Sequence, residues 1–404
     1  MRKLITFILI IVLSVGGYAS PKKSFEIKRG VNLSHWLSQR GENTPSIQDG
    51  MSATDFSRIA RAGFDHVRLP IDEEVLWQEN GQKNKEAFSY LHKGIEWALK
   101  NDLRVIVDLH IVRSHYFNAG NEGKKNSLWE KPEAQTHFLA LWQDLVQELK
   151  GYSTSDVAYE IMNEPTAPNH EDWNKLVEKA YQIIRKVEKE RVIVIGSNMW
   201  QGVDTFQYLK VPQGDEFILL SCHFYEPFLL SHYQAGWTEF GKYQGNVHYP
   251  GYLVSKDEFD SLSADDKKLV ARWRTTPWNR ETLSAFLSKA KRVADEKGLN
   301  LYCGEFGIYE KAPIESALKW YADVISVFDS LNIAWAKWDY KGGFGIYTSQ
   351  NQQKKDLLKV LMSGSGKKVV VGETPVYLDT RKPLELRVKD ALNRMTVEEK
   401  TRLS

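Results

Sequence analysis

The sequence has almost no charge imbalance. Its 404 residues carry 54 basic and 52 acidic side chains, a formal net charge of +2. That argues against a nucleic-acid binder, whose surface needs a basic excess. Leu4–Val15 is apolar but too short to cross a bilayer, and no later segment reaches the roughly 20 residues required. Cysteine is scarce: with only Cys222 and Cys303, at most one disulfide can form. No glycine-rich phosphate loop follows the first β-type run, and that run holds no His-x-His to begin a metal site. An apolar fraction of 42% and a charged fraction of 26% exclude a wholly disordered or fibrous chain. Aromatic residues are plentiful: 17 Phe, 13 Trp and 18 Tyr. Trp offers a flat apolar face that suits sugar rings, although core packing also consumes such residues.

Arg2 and Lys3 precede the apolar run, and Gly17-Tyr18-Ala19 closes it with small residues. This is the order of a secretory signal peptide over residues 1–19. The mature chain is therefore expected to be secreted or periplasmic and free of the membrane once the leader is removed. No cysteine follows the leader to carry a lipid anchor.

The middle of the chain alternates β-type apolar runs with helical periodicity. The runs are Ile27–Leu33, His66–Leu69, Arg104–Leu109, Val157–Ile161, Val192–Gly196, Phe217–Cys222, Leu301–Gly304 and Ile333–Lys337. Helical stretches lie between them: Asp55–Ala62, Ile95–Lys100, Phe138–Leu149, Trp173–Val187, Leu283–Glu296 and Ala317–Leu331. Gly63, Gly151 and Gly298 stand where C-caps would fall. Eight strands alternating with helices predict an α/β fold, the (β/α)₈ TIM barrel, over residues 25–362; a doubly wound sheet is the alternative. The long connection Phe224–Pro277 reads as a cleft wall, because its first part is rich in aromatics. Helical character ends near Met362. Ser363-Gly364-Ser365-Gly366 has linker composition, and residues 363–404, ending in the amphipathic stretch Leu384–Leu403, are too few for a core of their own. Strand parity turns Cys222 outward, beside inward His223, and turns Cys303 inward with Glu305. Cysteines on opposite faces cannot be bridged, so two buried free thiols are expected.

Polar side chains recur where the predicted strands end: Arg68, His110, Asn163 with Glu164, His223 with Tyr225, Glu305 and Trp338. In a barrel of this type those ends form the catalytic face. Two of the residues are carboxylates, Glu164 and Glu305. Such a pair is what glycoside hydrolysis needs, one group protonating the leaving oxygen and the other attacking the anomeric carbon or activating water. Alternatively each Glu serves only a structural ion pair with Arg68. Functionally, Arg68 would keep a nucleophilic carboxylate ionised. His110 and His223 read as core histidines, as substrate contacts, or as metal ligands with Glu164. The metal reading is the weaker one, since no further acidic cluster stands at ligand spacing. Asn163 would read a ring hydroxyl, and Tyr225 would hydrogen-bond the nucleophile. Trp36, Trp200, Trp237 and Trp338 are candidate sugar platforms.

The stretches Val67-Arg68-Leu69-Pro70, Asp108-Leu109-His110, Glu160-Ile161-Met162-Asn163-Glu164-Pro165, His223-Phe224-Tyr225, Gly304-Glu305-Phe306-Gly307 and Trp338 resemble glycoside hydrolase family 5, the cellulase family of retaining (β/α)₈ hydrolases. The resemblance covers about residues 25–362. It implies Glu164 as acid/base and Glu305 as nucleophile, with carboxyl groups about 5–5.5 Å apart, the pKa of Glu164 raised and that of Glu305 lowered. It implies no cofactor and no metal. Pro227-Phe228, His232 and Trp237 look like the substrate loop of thermophilic members that cut both glucan and mannan, and Asn32 fits a subsite position there. One departure weakens the mannan side: those relatives carry a second His directly after the one matching His110, where this sequence has Ile111. His115 is the residue that would take its place. The reading is a secreted, monomeric endo-β-1,4-glucanase acting on β-glucan polysaccharide or oligosaccharide. Its rivals are an endo-β-mannanase, a mixed-linkage or xyloglucan-active glucanase, and a carbohydrate-binding barrel without catalysis. In the tail, Tyr377-Leu378-Asp379, Arg387-Val388, Arg394-Met395-Thr396 and Glu398-Glu399-Lys400 resemble the opening of a glycoside hydrolase family 3 enzyme.

Overall fold

Short runs of Val, Ile and Leu bounded by turns become strands when both of their faces are covered, and this chain covers both. In the computed structural model, which describes residues 24–42, 44–118, 126–348, 352–372, 377, 382–395 and 400, a first short strand β1 (Phe25–Ile27) precedes eight parallel strands. These are β2 (Arg29–Asn32), β3 (His66–Asp72), β4 (Arg104–Ile111), β5 (Val157–Glu160), β6 (Ile193–Gly196), β7 (Ile218–Phe224), β8 (Asn300–Phe306) and β9 (Ala334–Lys337). They close into a barrel in chain order, β9 pairing back onto β2. Closure excludes the doubly wound sheet. The leader over 1–19 and five of the tail motif residues, Leu378, Asp379, Thr396, Glu398 and Glu399, lie outside the described residues.

Each predicted helix is present, generally longer than its apolar core. Helices Lys85–Leu99, His170–Val187 and Arg280–Glu296 begin on Asn84, Asn169 and Asn279, whose side chains accept from backbone N–H groups of the first turn. Gly63 and Gly298 close their helices in the left-handed region, with φ of 99° and 67°. Gly151 does not adopt that conformation. The connection Phe224–Pro277 is itself folded, with helices Lys256–Ser261 and Ala264–Val270 and shorter turns around them.

Side chains fill the barrel interior, among them Ile106, Ala158, Val194, Leu219, Tyr302, Ala334 and Ala336. His66 also points inward. Its ring sits so close to Gly30 that a Cβ there would lie 2.2 Å from Nε2, so β2 needs glycine at that position.

Two expectations fail, each for a physical reason. The first concerns the cysteines. Cys222 and Cys303 are direct partners across β7 and β8, and both face the layer between strands and helices. A bulge pairs His223 with Glu305 and leaves Gly304 as an extra residue. The parity count from Glu305 back to Cys303 therefore breaks. Both thiols are buried and free, as expected.

The second concerns the linker. Residues 363–372 belong to the barrel unit. The strand β10 (Val369–Val371) pairs antiparallel with β1, and Phe25, Ile27, Val369 and Val371 join the interior cluster as a plug. The plug sits against the start of β8, where Asn300 Nδ2 donates to Val370 O at 2.9 Å. Ser365 N donates to Asp329 Oδ2 at 2.7 Å. Gly366 permits that approach, since a Cβ there would stand 2.2 Å from Asp329 Oδ1. Burying a valine stabilises by about 1.5–3 kcal/mol. Deleting 363–404 is thus expected to lower the Tm by at least about 5 °C, whereas deleting 376–404 leaves it within about 1 °C. Differential scanning calorimetry of the two truncations checks this, and equal melting temperatures would refute the plug.

Candidate active site

Arg68 is the hub of the catalytic face. It lies on β3 with inward parity, wholly buried. Its guanidinium donates to Glu160 through Nε at 2.6 Å and through a terminal nitrogen at 3.0 Å. It also donates to Glu305 Oε1 at 2.7 Å, Asn32 Oδ1 at 3.0 Å and Asn163 Oδ1 at 2.8 Å, and it pairs with Asp108 at 3.0 Å. A buried charge persists only when compensated in this way. The surrounding carboxylates hold its pKa well above the usual arginine value. Glu160 and Asp108 were not singled out in the sequence. Parity offered a signal, since Asp108 lies two residues before inward His110 and Glu160 ends a strand whose Ala158 points inward.

Glu305 accepts from Arg68 on one oxygen and from Tyr225 Oη on the other, at 2.9 Å. Glu164 adopts φ of 44°, a left-handed conformation that costs a residue with a Cβ and is typical of strained functional positions. Its Oε1 is hydrogen-bonded to His223 Nδ1 at 2.8 Å. Donor atoms of Glu164, His223 and Glu305 all lie within 4.8 Å of one another. Such a triad resembles a metal site in outline, but the adjacent Arg68 charge opposes a cation there.

Burial pushes the Glu164 pKa well above the ordinary carboxylate value, and the like charge of Glu305 adds to the rise. The expected lowering at Glu305 does not occur. Burial raises its pKa too, against the pull of Arg68, His110 and the Tyr225 bond. Arg68 and Tyr225 donate to Glu305 and neither donates to Glu164, so of the two the ionised form is favoured at Glu305. His110 is pushed down to about 3 by burial and by Arg68, and His223 falls well below the usual range, so both rings are neutral.

A cleft of about 1440 Å³ opens over this cluster, larger than the 300–1,000 Å³ of a typical small-molecule pocket. His110, Asn163, Glu164, His223, Tyr225, His232, Trp237, Glu305 and Trp338 all line it. His110 Nε2, Asn163 Nδ2 and His223 Nε2 are buried without a protein partner. Trp338 stacks against His110 at 5.6 Å and 6°. Trp200 and Trp237 are 39% and 49% exposed. Phe228, Trp237, Thr238, Arg272 and Trp273 of the long connection contribute to the lining, which makes that connection a wall as expected.

Several predicted substrate contacts lie elsewhere. Asn32 is fully buried, with Nδ2 donating to Gly304 O at 2.9 Å; it buttresses Arg68 and β8. Arg68 itself acts through Glu305. His115 is buried behind the cleft, where its Nε2 bonds the Thr166 hydroxyl and backbone N–H. It does not replace the missing histidine, and Ile111 is what faces the cleft at that position. Trp36 is core, stacked on Trp97 with Nε1 bonded to Ile47 O.

An eight-stranded parallel barrel presenting an arginine-braced carboxylate, a second carboxylate within 4.8 Å and an aromatic-lined cleft defines a glycoside hydrolase. The sequence profile described as Cellulase (glycosyl hydrolase family 5) matches residues 28–343. The chain is 31% identical over 342 residues to Endoglucanase C of Acetivibrio thermocellus, covering 83% of this chain and 97% of that relative. It is 28% identical to Cellodextrinase A of Ruminococcus flavefaciens, covering 77% and 85%. Among solved structures, Thermotoga maritima Cel5A in complex with cellobiose is similar at 28% identity and a TM-score of 0.66, covering 83% of this chain and 97% of that one. Cel5A in complex with mannotriose is similar at 27% identity, with the same TM-score and coverage. The chain belongs to glycosyl hydrolase family 5.

Proposed function

We propose that this glycoside hydrolase cleaves internal β-1,4 bonds of glucan by double displacement. The observation that carries the mechanism is that one oxygen of Glu164 and one of Glu305 approach within 4.8 Å, a close pairing of the kind retaining enzymes use, since inverting enzymes space their carboxyl groups about 6.5–9.5 Å apart to admit a water. Glu164 is protonated at rest and donates its proton to the glycosidic oxygen as the bond breaks. The Glu305 carboxylate attacks C1, and Arg68 and Tyr225 fix its two oxygens for that attack. The resulting ester removes the Glu305 charge, so the pKa of Glu164 falls. Glu164 then takes a proton from the water that releases the sugar. Asn163 and neutral His110 meet ring hydroxyls, while Trp338, Trp237 and Trp200 supply apolar faces to successive rings.

The endoglucanase and cellodextrinase names of the relatives support glucan as substrate. Ile111 stands where the relatives that cut both glucan and mannan carry a second histidine, and His115 does not take that place, which favours glucan over mannan. Product analysis on carboxymethyl-cellulose, mixed-linkage glucan, xyloglucan and galactomannan tests the reading. A rapid viscosity fall on carboxymethyl-cellulose is expected, with galactomannan at least about tenfold slower, the scale of one lost sugar contact. Release of single sugars from chain ends, or galactomannan as the best substrate, overturns it.

We also read residues 1–19 as an export leader, the mature chain as a monomer, and the stretch from Tyr377 onward as the opening of a family-3-like module. The leader and module readings are supported by the leader's residue order and by the tail motifs. The tail helix Leu384–Arg394 exposes Leu384 and Leu386 at 70% and 51%, as a segment awaiting a further partner would.

A further inference from the structure

Lys337 has no part in the chemistry above, yet it is wholly buried. An ammonium group in that position is costly unless its donors are used. Nζ donates to two backbone carbonyls, Trp338 O at 2.7 Å and Phe344 O at 2.6 Å, and it stands 5.2 Å from the Tyr321 ring centroid. Both carbonyls belong to residues that face the cleft. Trp338 is the ring that stacks on His110. The Phe344 ring meets Tyr225 at 6.1 Å, His232 at 5.5 Å and Trp237 at 6.3 Å, and Tyr225 is bonded to Glu305.

The same carbonyl is approached closely from a second side. A Cβ on Gly307 would lie 2.5 Å from Trp338 O and 3.6 Å from Lys337 Nζ. The Trp338 carbonyl is therefore held between the glycine backbone after β8 and the lysine on β9. Tyr321 completes the seat, its hydroxyl accepting from Ile308 N at 2.8 Å.

We propose that Lys337 is a positioning residue for the sugar next to the scissile bond: by holding the Trp338 and Phe344 carbonyls together, it sets the floor and one wall of that subsite. This rests on the reading of Trp338 as a sugar platform. Burial lowers the lysine pKa to about 7. The neutral amine still offers two N–H donors, so both carbonyls stay held on either side of that pH.

The test compares the parent with Lys337→Met, which keeps length and apolar bulk but has no donor. Kinetics are measured on cellopentaose and on dinitrophenyl β-cellobioside, well below each variant's Tm. A small displacement in a catalytic subsite can cost up to about a hundredfold, so kcat/KM is expected to fall about tenfold or more on both substrates, whatever the change in Tm. Parent kcat and KM on both substrates overturn the inference, even if Lys337→Met melts earlier. Should Lys337→Met not fold, Gly307→Ala decides, because it leaves the Lys337 side chain in place and pushes on the Trp338 carbonyl and the Phe344 ring that the lysine is proposed to hold. A similar fall supports the seat, and parent constants refute it. The parent's own turnover keeps the two readings apart: a parent inert on both substrates refutes the proposed function rather than the role of Lys337.

Discussion

Glu305→Ala is expected to lose turnover on cellopentaose by about 10⁴–10⁶-fold, the scale on which removing a nucleophile acts. The fold should survive, because Arg68 keeps Glu160 and Asp108 as partners and no buried charge is left uncompensated. Binding should survive as well, since Trp338, Asn163 and His110 still line the cleft. Isothermal titration with cellopentaose should therefore show an affinity within a few-fold of the parent's ground-state binding. Parent-like turnover in this variant would remove Glu305 from the nucleophile's role. Loss of both folding and binding would instead make the Glu305–Arg68 pair structural.

Glu164→Ala should behave differently according to the leaving group. On cellopentaose the departing oxygen needs a proton, and a general acid typically contributes about 10²–10⁴-fold. Dinitrophenolate leaves unaided, so the first step with dinitrophenyl β-cellobioside is largely retained and the missing base limits the second. Added azide needs no base, so it should restore turnover and yield the β-glycosyl azide. The pH profile carries the same logic. In the parent, kcat/KM falls on the acid side as Glu305 gains a proton, and on the alkaline side as Glu164 loses the one its raised pKa retains. On the dinitrophenyl substrate, Glu164→Ala should lose the alkaline limb and keep the acid one. Absence of azide rescue together with an unchanged alkaline limb would mean that another group is the acid.

Much of this site was legible because two simple regularities coincide. Apolar β-branched runs mark the eight strands, and polar residues directly after such runs mark one rim, which brings Arg68, Glu164, His223 and Glu305 together. What could not be read lies where the regularity breaks. The bulge at Gly304 shifts the parity of Cys303, and one sequence carries no count of the residues on the facing strand. Ser363-Gly364-Ser365-Gly366 has the composition of a flexible joint. Its Gly364 and Gly366 are small for another reason: a Cβ on either would meet the Asp329 carboxylate. His115 is close to His110 in sequence, but the turn between them carries it behind the cleft and onto Thr166. Asn32 and Glu160 ended on the inner side of Arg68, and only the closed barrel reveals how many acceptors one buried guanidinium requires.

The most direct test of the central claim is covalent trapping. The enzyme is incubated with dinitrophenyl 2-deoxy-2-fluoro-β-cellobioside, which forms the ester quickly and releases it slowly, and is then digested for peptide mass mapping. The mechanism predicts one fluorocellobiosyl group on the peptide carrying Glu305, with activity lost in step. An adduct on Glu164 or on any other residue, or an enzyme that turns over cellopentaose yet forms no adduct, would contradict it.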